Sequence, residues 1–495
     1  MEKYLFSKMF GKSTLLASTF GFSIIFGQFQ QSAKLTASTR ESRAEFGTAV
    51  AINNQYSAVG ASREEVAKGA VYVYQKNGEN WGFHQKINAP DGFEMAEFGG
   101  SIKFGSDFMV VSAGRADIGG VVRAGALYIY GLNSNNQWAF DKKLTASDFS
   151  NDALLAVNPT SLAVSGNTIV AGAPGIDSWK GAVYIFEKNN GNWSEIQKIE
   201  SPAGIDFGNF GIGVSIYDGY LVVGASGENN GAGKIYIYKK NDSGQWIFHQ
   251  SLASSDHFEN SYFGNAISIY DNELVVGAYT ETNTGNPAMA FIFKLDENDN
   301  WYESQKIASY QSSEHTYFGW MCEMKNDKLL ITSPHLYGTE AGKTFIYKKN
   351  GQDNWEFDQE LTPKNDVVQD SYGWSIAMNE NEIIVGASRD DLDSNEENEM
   401  QDAGSAYIFN QTNLATNENG LSINDVKIYP NPAKDFINIT SKKEISSVEI
   451  LDLSGKKISE SKDLKINVSN LKKGIYLLNI KFGNGRSKLQ KLIKQ

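Results

Sequence analysis

The sequence predicts an all-β protein in which one four-stranded sheet is repeated seven times, and three recurring signals predict it. An aromatic-glycine pair opens each unit at Phe46-Gly47, Phe98-Gly99, Phe210-Gly211, Phe263-Gly264, Phe318-Gly319 and Tyr372-Gly373, with a decayed copy at Leu155-Ala156. An apolar run ending in two small residues follows, at Gly60-Ala61, Ser112-Ala113, Gly172-Ala173, Gly224-Ala225, Gly277-Ala278, Ser333-Pro334 and Gly386-Ala387. A third segment alternates aromatics two apart, from Tyr72/Tyr74 to Tyr407/Phe409, its first members separated by 56, 56, 52, 55, 54 and 62 residues.

Each segment reads as a strand. Its period is two, β-branched and aromatic residues dominate it, and turn formers such as Asp218-Gly219, Asp271-Asn272 and Asn326-Asp327 separate the first two. A fourth strand begins at Trp81, Trp138, Trp193, Trp246, Trp301 and Trp355 and runs into endings such as Gln85-Lys86-Ile87. Only six such strands follow a third strand. The seventh copy stands at the other end of the chain, where Gln31-Ser32-Ala33-Lys34-Leu35-Thr36-Ala37-Ser38 matches the pattern of Asp141 to Ser147 but precedes the first aromatic-glycine pair. Such an offset ties the last sheet to the start of the chain. The expected architecture is therefore a seven-bladed β-propeller closed by its N-terminal strand, over residues 28–409. An open solenoid would need capping units and leaves the displaced strand unexplained.

Composition sets outer limits. With 41% hydrophobic and 12% aromatic residues the 495-residue chain has ample apolar surface to bury, and its single Cys322 leaves neither a disulfide framework nor a cysteine-based zinc site. Residues 421–495 carry 15 Lys and Arg against 7 Asp and Glu, a balance of +8, which leaves −21 on the rest of a chain whose total is −13. An acidic main body repels phosphate backbones and anionic lipid, so neither nucleic acid nor a bare membrane surface is an expected partner. Lys3, Lys8 and Lys12 precede an apolar stretch from Leu15 to Phe26, which reads as a secretory signal over residues 1–27 with cleavage near Gly27-Gln28. No later stretch is apolar for long enough to span a bilayer, so the mature chain is expected to have no membrane span.

The aromatic-glycine opening followed by Val-Gly-Ala, clearest in Phe210-Gly211-Ile212-Gly213-Val214-Ser215 with Leu221-Val222-Val223-Gly224-Ala225, resembles FG-GAP repeats. These are the units of integrin α-subunit propellers and of many bacterial surface proteins. The resemblance covers residues 29–409. The integrin-type unit often carries an Asp-x-Asp-x-Asp-Gly calcium loop between its first two strands. Here those connections, such as Asn53-Asn54-Gln55 and Tyr217-Asp218-Gly219, hold too few carboxylates for calcium, and neither metal nor cofactor is expected.

Beyond a polar linker at residues 410–420, alternating strands with turns at Ser454-Gly455 and Gly483-Asn484-Gly485 suit a small β-sandwich over residues 421–495. Tyr429-Pro430-Asn431-Pro432, Val448 to Lys456, Leu471-Lys472-Lys473-Gly474-Ile475-Tyr476 and the Lys-rich terminus resemble the C-terminal sorting domain of the type IX secretion system of Bacteroidetes. That resemblance implies the secretion machinery as a partner and a secreted or outer-membrane-associated location. Tyr429, Pro430, Asn431, Pro432, Gly474 and Tyr476 are the positions that carry the motif.

Catalytic motifs are scarce. Gly338 to Thr344 looks like a phosphate loop but is one residue short and leads into a strand. His84 and His249 recur in the same repeat position, whereas His257, His315 and His335 are scattered, and there is no GxSxG nucleophile elbow. No catalytic residue is assigned, although carboxylate pairs contributed by different sheets remain open. The connections after the second strands, longest at 114–124 and 388–403, share one face with the connections between units, where binding usually resides. The candidate ligand surface is Arg115, Asp117, Trp179, Arg389, Asp390 and Asp393, with the acidic run from Asp390 to Glu399 read as a solvated loop. The expected function is non-catalytic recognition of a glycan or protein outside the cell; the rivals are an extracellular hydrolase and a purely structural surface component.

Overall fold

A computed structural model describes residues 28–280, 287–309, 317–334, 341–364, 370–411, 426–441, 445–451, 457–482 and 487–494. The expected signal segment 1–27 and most of the expected linker lie outside the described residues. The chain divides into two compact units, one of which is Phe29–Gln411.

Among the described residues of that unit there are seven four-stranded antiparallel sheets. The first comprises Phe46–Ile52, Tyr56–Ala61, Ala70–Asn77 and Asn80–Ile87 in that spatial order. Sheets two to six, spanning 98–144, 162–200, 210–252, 267–308 and 322–361, repeat this order. In the seventh, Tyr372–Met378, Glu382–Ala387 and Ser405–Gln411 are followed by Phe29–Leu35, which pairs antiparallel with Ser405–Gln411 through Leu35 opposite Ala406 and Phe29 opposite Gln411. The displaced strand is therefore the outermost strand of the last sheet.

The glycines of the opening pairs explain how tightly the sheets approach. Gly47 has φ +99°, a left-handed region that penalises any side chain, and a Cβ there would lie 2.3 Å from the Ser405 carbonyl oxygen. Glycine faces glycine from sheet to sheet: a Cβ on Gly60 would meet the Gly99 oxygen at 2.0 Å, and one on Gly386 would meet that of Gly47 at 2.1 Å. The decayed third opening keeps its place, because Leu155 N–H donates to the Ala124 carbonyl as Phe98 N–H does to that of Lys68, and Ala156 N–H donates to Gly172. A 3₁₀ turn at Pro159–Ser161 then delays the strand to Leu162. One register differs from expectation. In the sixth sheet Thr332 pairs with Thr344 and Ser333 with Lys343, which makes Thr332-Ser333, and not Ser333-Pro334, the counterpart of Gly277-Ala278.

The fourth-strand tryptophans pack against the preceding sheet. Trp138 meets Tyr56 edge-on at 5.4 Å, Trp193 meets Phe108 at 4.8 Å and Trp301 meets Tyr220 at 5.5 Å. Each of these partners begins, or stands at the start of, a second strand. The recurrent histidines are structural as well: His84 Nε2 lies 2.7 Å from the Asn136 carbonyl, and His249 Nε2 the same distance from that of Asp299.

In the other unit, Val426–Tyr429, Phe436–Ser441 and Lys465–Asn467 form a three-stranded sheet, and Ile445–Leu451, Lys457–Ser461, Gly474–Phe482 and Ser487–Lys494 a four-stranded one. Ile437, Ile439 and Ile466 from the first share a core with Val448, Ile450, Leu478, Ile480 and Leu492 from the second. Among the described residues no helix is long and apolar enough to cross a membrane.

Candidate functional site

Among the described residues, connections after the second strands and connections between sheets lie on one face, because they hydrogen-bond to each other. Met95, Glu97 and Phe98 N–H donate to the carbonyls of Val66, Ala67 and Lys68, and Phe207, Asn209 and Phe210 N–H to those of Ser178, Trp179 and Lys180. The face is thus a set of backbone tracks.

Tyrosine, carboxylate and lysine recur as a unit there. The Tyr128 hydroxyl donates to Asp91 Oδ1 at 2.8 Å and Lys143 Nζ lies 2.7 Å from Asp91 Oδ2; Tyr184 and Lys198 hold Asp148 at 2.6 and 2.7 Å. Glu64 is held in the same way by Tyr72 and Lys86, and Glu228 receives the Tyr236 hydroxyl. Burial, with the adjacent carboxylate second, pushes the Tyr128 and Tyr184 phenols well above their usual range. The lysine and tyrosine contacts outweigh partial burial and hold Asp91 and Asp148 below the ordinary carboxylate value.

Asp390 belongs to this series, which corrects both its reading as part of a solvated loop and its place among the ligand candidates. Its side chain is 0% exposed, accepts the Ser405 and Tyr407 hydroxyls, and lies 2.9 Å from Lys34 Nζ, itself 3% exposed. Asp393 is spent on its own turn. It accepts the N–H groups of Asn395 and Glu397 and the Asn398 amide, and these bonds, the amide foremost, lower its carboxyl to about 2. Arg115 Nε is 2.9 Å from Glu97, and Asp117 Oδ1 accepts Arg123 N–H at 2.8 Å. Arg389 is half-buried, its N–H donating to the Asp370 carbonyl. Trp179 is 38% exposed. The six residues sit in the connections of sheets two, three and seven, and the structure does not gather them into one site.

A different group is gathered. Trp320 and Trp374 follow the aromatic-glycine pairs of sheets six and seven, where other sheets carry Thr48, Gly100, Ile212 and Asn265. Their rings lie 4.9 Å apart, and Trp320 Nε1 donates to the Trp374 carbonyl at 3.1 Å. Tyr279 and Tyr317 brace Trp320 at 5.1 and 6.1 Å. The two indoles, with Asn158, Thr160, Asn265 and Met321, line a recess. Pro159, Thr160 and Met321 are shared with a second cavity, of about 180 Å³, between the first strands. Inside that cavity the first strands are stitched together, with Ser215 Oγ accepting Ile269 N–H, Ser268 Oγ accepting Met324 N–H and Glu323 Oε1 accepting Met378 N–H. Burial raises the Glu323 carboxyl, opposed by the Lys103 and Lys325 charges. The sequence signal was a tryptophan directly after the repeat's opening glycine, in two consecutive units.

One further carboxyl stands out. Asp370 is buried beside Asp390 and Asp391, and burial followed by those two charges pushes it up to about 8. Among the described residues no group of His, Cys, Asp and Glu is arranged to hold a metal ion.

Repeated four-stranded sheets with a separate β-sandwich tail define an all-β repeat protein carrying an added module. The FG-GAP repeat family matches residues 29–74, 81–130, 193–238, 246–293 and 355–409, and the secretion system C-terminal sorting domain matches residues 427–495. The chain is an FG-GAP repeat protein with a type IX sorting tail, secreted to the cell surface or associated with the outer membrane. No curated protein matches it significantly. Among solved structures, the Pseudomonas aeruginosa periplasmic gluconolactonase PpgL is similar at 10% identity and a TM-score of 0.42, covering 65% of this chain and 86% of its own. Chaetomium thermophilum Sqt1 is similar at 13% identity and 0.43, covering 73% and 84%. At these scores neither similarity bears on chemistry.

Proposed function

We propose that residues 29–411 form a closed seven-bladed propeller acting as a non-catalytic recognition module outside the cell, through the face that carries the tracks. Closure is supported by contacts between the seventh and first sheets that repeat those between other neighbours. Arg43, Glu45 and Phe46 N–H donate to Gln401, Asp402 and Ala403, the same three rungs that join sheet one to sheet two. Trp81 reaches back to the start of the seventh sheet's second strand, its Nε1 donating to Glu382 at 3.1 Å.

The observation that carries the recognition reading is the open recess walled by Trp320 and Trp374, beside a face on which Asp91, Asp148, Glu64 and Asp390 are held in Tyr-Lys brackets. A rigid scaffold with occupied acids and an open aromatic recess suits binding better than proton transfer. The purified secreted protein, applied to glycan and protein arrays, should be retained without altering what it binds. Absence of any retention would favour the purely structural alternative.

Asp370 favours a second reading. A carboxyl raised to about 8 by burial and neighbouring charges has the protonation that a glycosidase general acid needs. Release of reducing ends from a polysaccharide, abolished in Asp370→Asn, would establish the hydrolase.

A further inference from the structure

We infer that the Trp320–Trp374 recess binds an uncharged saccharide, an assignment that rests on the recognition reading above and specifies its ligand class. In a chain of net charge −13 the residues lining this recess include no ionisable side chain. A charged ligand would therefore enter without a counter-charge at the wall, whereas a neutral one loses nothing by that absence. The two rings are half-buried, less exposed than Trp179.

Sugar rings carry C–H bonds polarised by neighbouring oxygens, and these stack on the electron-rich face of an indole. Their hydroxyls need amide and hydroxyl partners at the edge, which Asn265 and Thr160 supply; Asn265 Nδ2 already donates one hydrogen to the Trp320 carbonyl at 3.5 Å, which leaves its Oδ1 and second amide hydrogen for a ligand. Thr160 already donates its proton to the Ile212 carbonyl at 2.9 Å, so towards a ligand its oxygen acts as an acceptor. Trp320 is pre-oriented by Tyr279, Tyr317 and its own bond to the Trp374 carbonyl, so little side-chain freedom is lost on binding.

The test uses the whole secreted protein in affinity electrophoresis against neutral polysaccharides (β-glucan, xylan, mannan, starch), with polygalacturonate and alginate as acidic comparators. The expected result is retardation by at least one neutral polymer, weakened at least tenfold in Trp374→Ala and Asn265→Ala with unchanged melting temperatures. Should Trp374→Ala fail to fold, Trp374→Phe, which keeps a smaller ring, should fold and bind with intermediate strength. Full retardation in Trp374→Phe and Asn265→Ala would overturn the site while leaving recognition intact. Retardation by the acidic polymers alone, or capture of peptides with no neutral glycan bound, would overturn the ligand class. Cleavage of the polymer would overturn the recognition reading beneath it.

Discussion

Gln359 clasps the backbone of Phe29: its amide Nε2 donates to the Phe29 carbonyl at 2.6 Å and its Oε1 accepts the Phe29 N–H at 2.8 Å, across 330 residues of sequence. The same double bond joins Gln85 to Trp138, Gln197 to Trp246, Gln250 to Trp301 and Gln305 to Trp355. Phe29 thereby stands where the tryptophan of a fourth strand stands elsewhere, although nothing in its residue type announces it.

Gln359→Ala removes both bonds and leaves the Phe29 amide without its partner, so unfolding in urea should show a loss of about 1–3 kcal/mol. Deleting residues 29–38 should cost far more, because it exposes the open edge of Ser405–Gln411 and the Lys34 partner of buried Asp390 is lost with it. An unchanged melting transition in the deletion would reject the shared sheet.

The clasp has a gap. Ala33 pairs with Ile408 as Gln85 pairs with Val73, so alanine occupies the glutamine position where the seventh sheet meets the first. The Trp81–Glu382 bond and the 2.9 Å Lys76–Glu382 ion pair stand at that junction instead. Ala33→Gln should restore the clasp onto Trp81 and raise stability by about 1 kcal/mol, read as a higher urea midpoint; a lowered midpoint would show that the seam has no room for it.

Gly47→Ala and Gly386→Ala place a Cβ 2.3 and 2.1 Å from carbonyl oxygens of the facing sheet. Neither backbone can yield without separating two sheets, so each should cost several kcal/mol and yield little folded protein, whereas Gly78→Ala, whose Cβ has nothing within 4 Å, should be limited to the strain of its φ of +66°.

Asp370 makes stability depend on pH. Burial and the Asp390, Asp391 and Glu396 charges raise its carboxyl to about 8, against the pull of Lys34. The unfolded chain releases that proton near pH 4, so its contribution is most favourable below that range and is lost as pH rises towards 8. Asp370→Asn should melt several degrees above the parent at pH 8.5 and close to it at pH 4, measured by scanning calorimetry. Parallel melting curves for the two proteins across that interval would refute the raised carboxyl.

Much of the fold was legible because the repeat states each strand seven times over, and the displaced strand is visible as a missing copy. The slip at Thr332-Ser333 arises where neither glycine nor alanine is present, so that Ser333-Pro334 and Thr332-Ser333 both offer a pair of small residues in sequence. The site was less legible. Asp390 looked solvated because the lysine that neutralises it comes from the other end of the chain. Trp320 and Trp374 escaped notice since their neighbourhood is assembled from four sheets, with only the residue after each opening glycine to mark it.

Amide hydrogen exchange on the intact secreted protein tests the closed ring most directly. The account predicts that Phe29–Leu35 exchanges as slowly as Ser405–Gln411 and opens with it as one unit. Rapid exchange of Phe29–Leu35 while Ser405–Gln411 remains protected would contradict it.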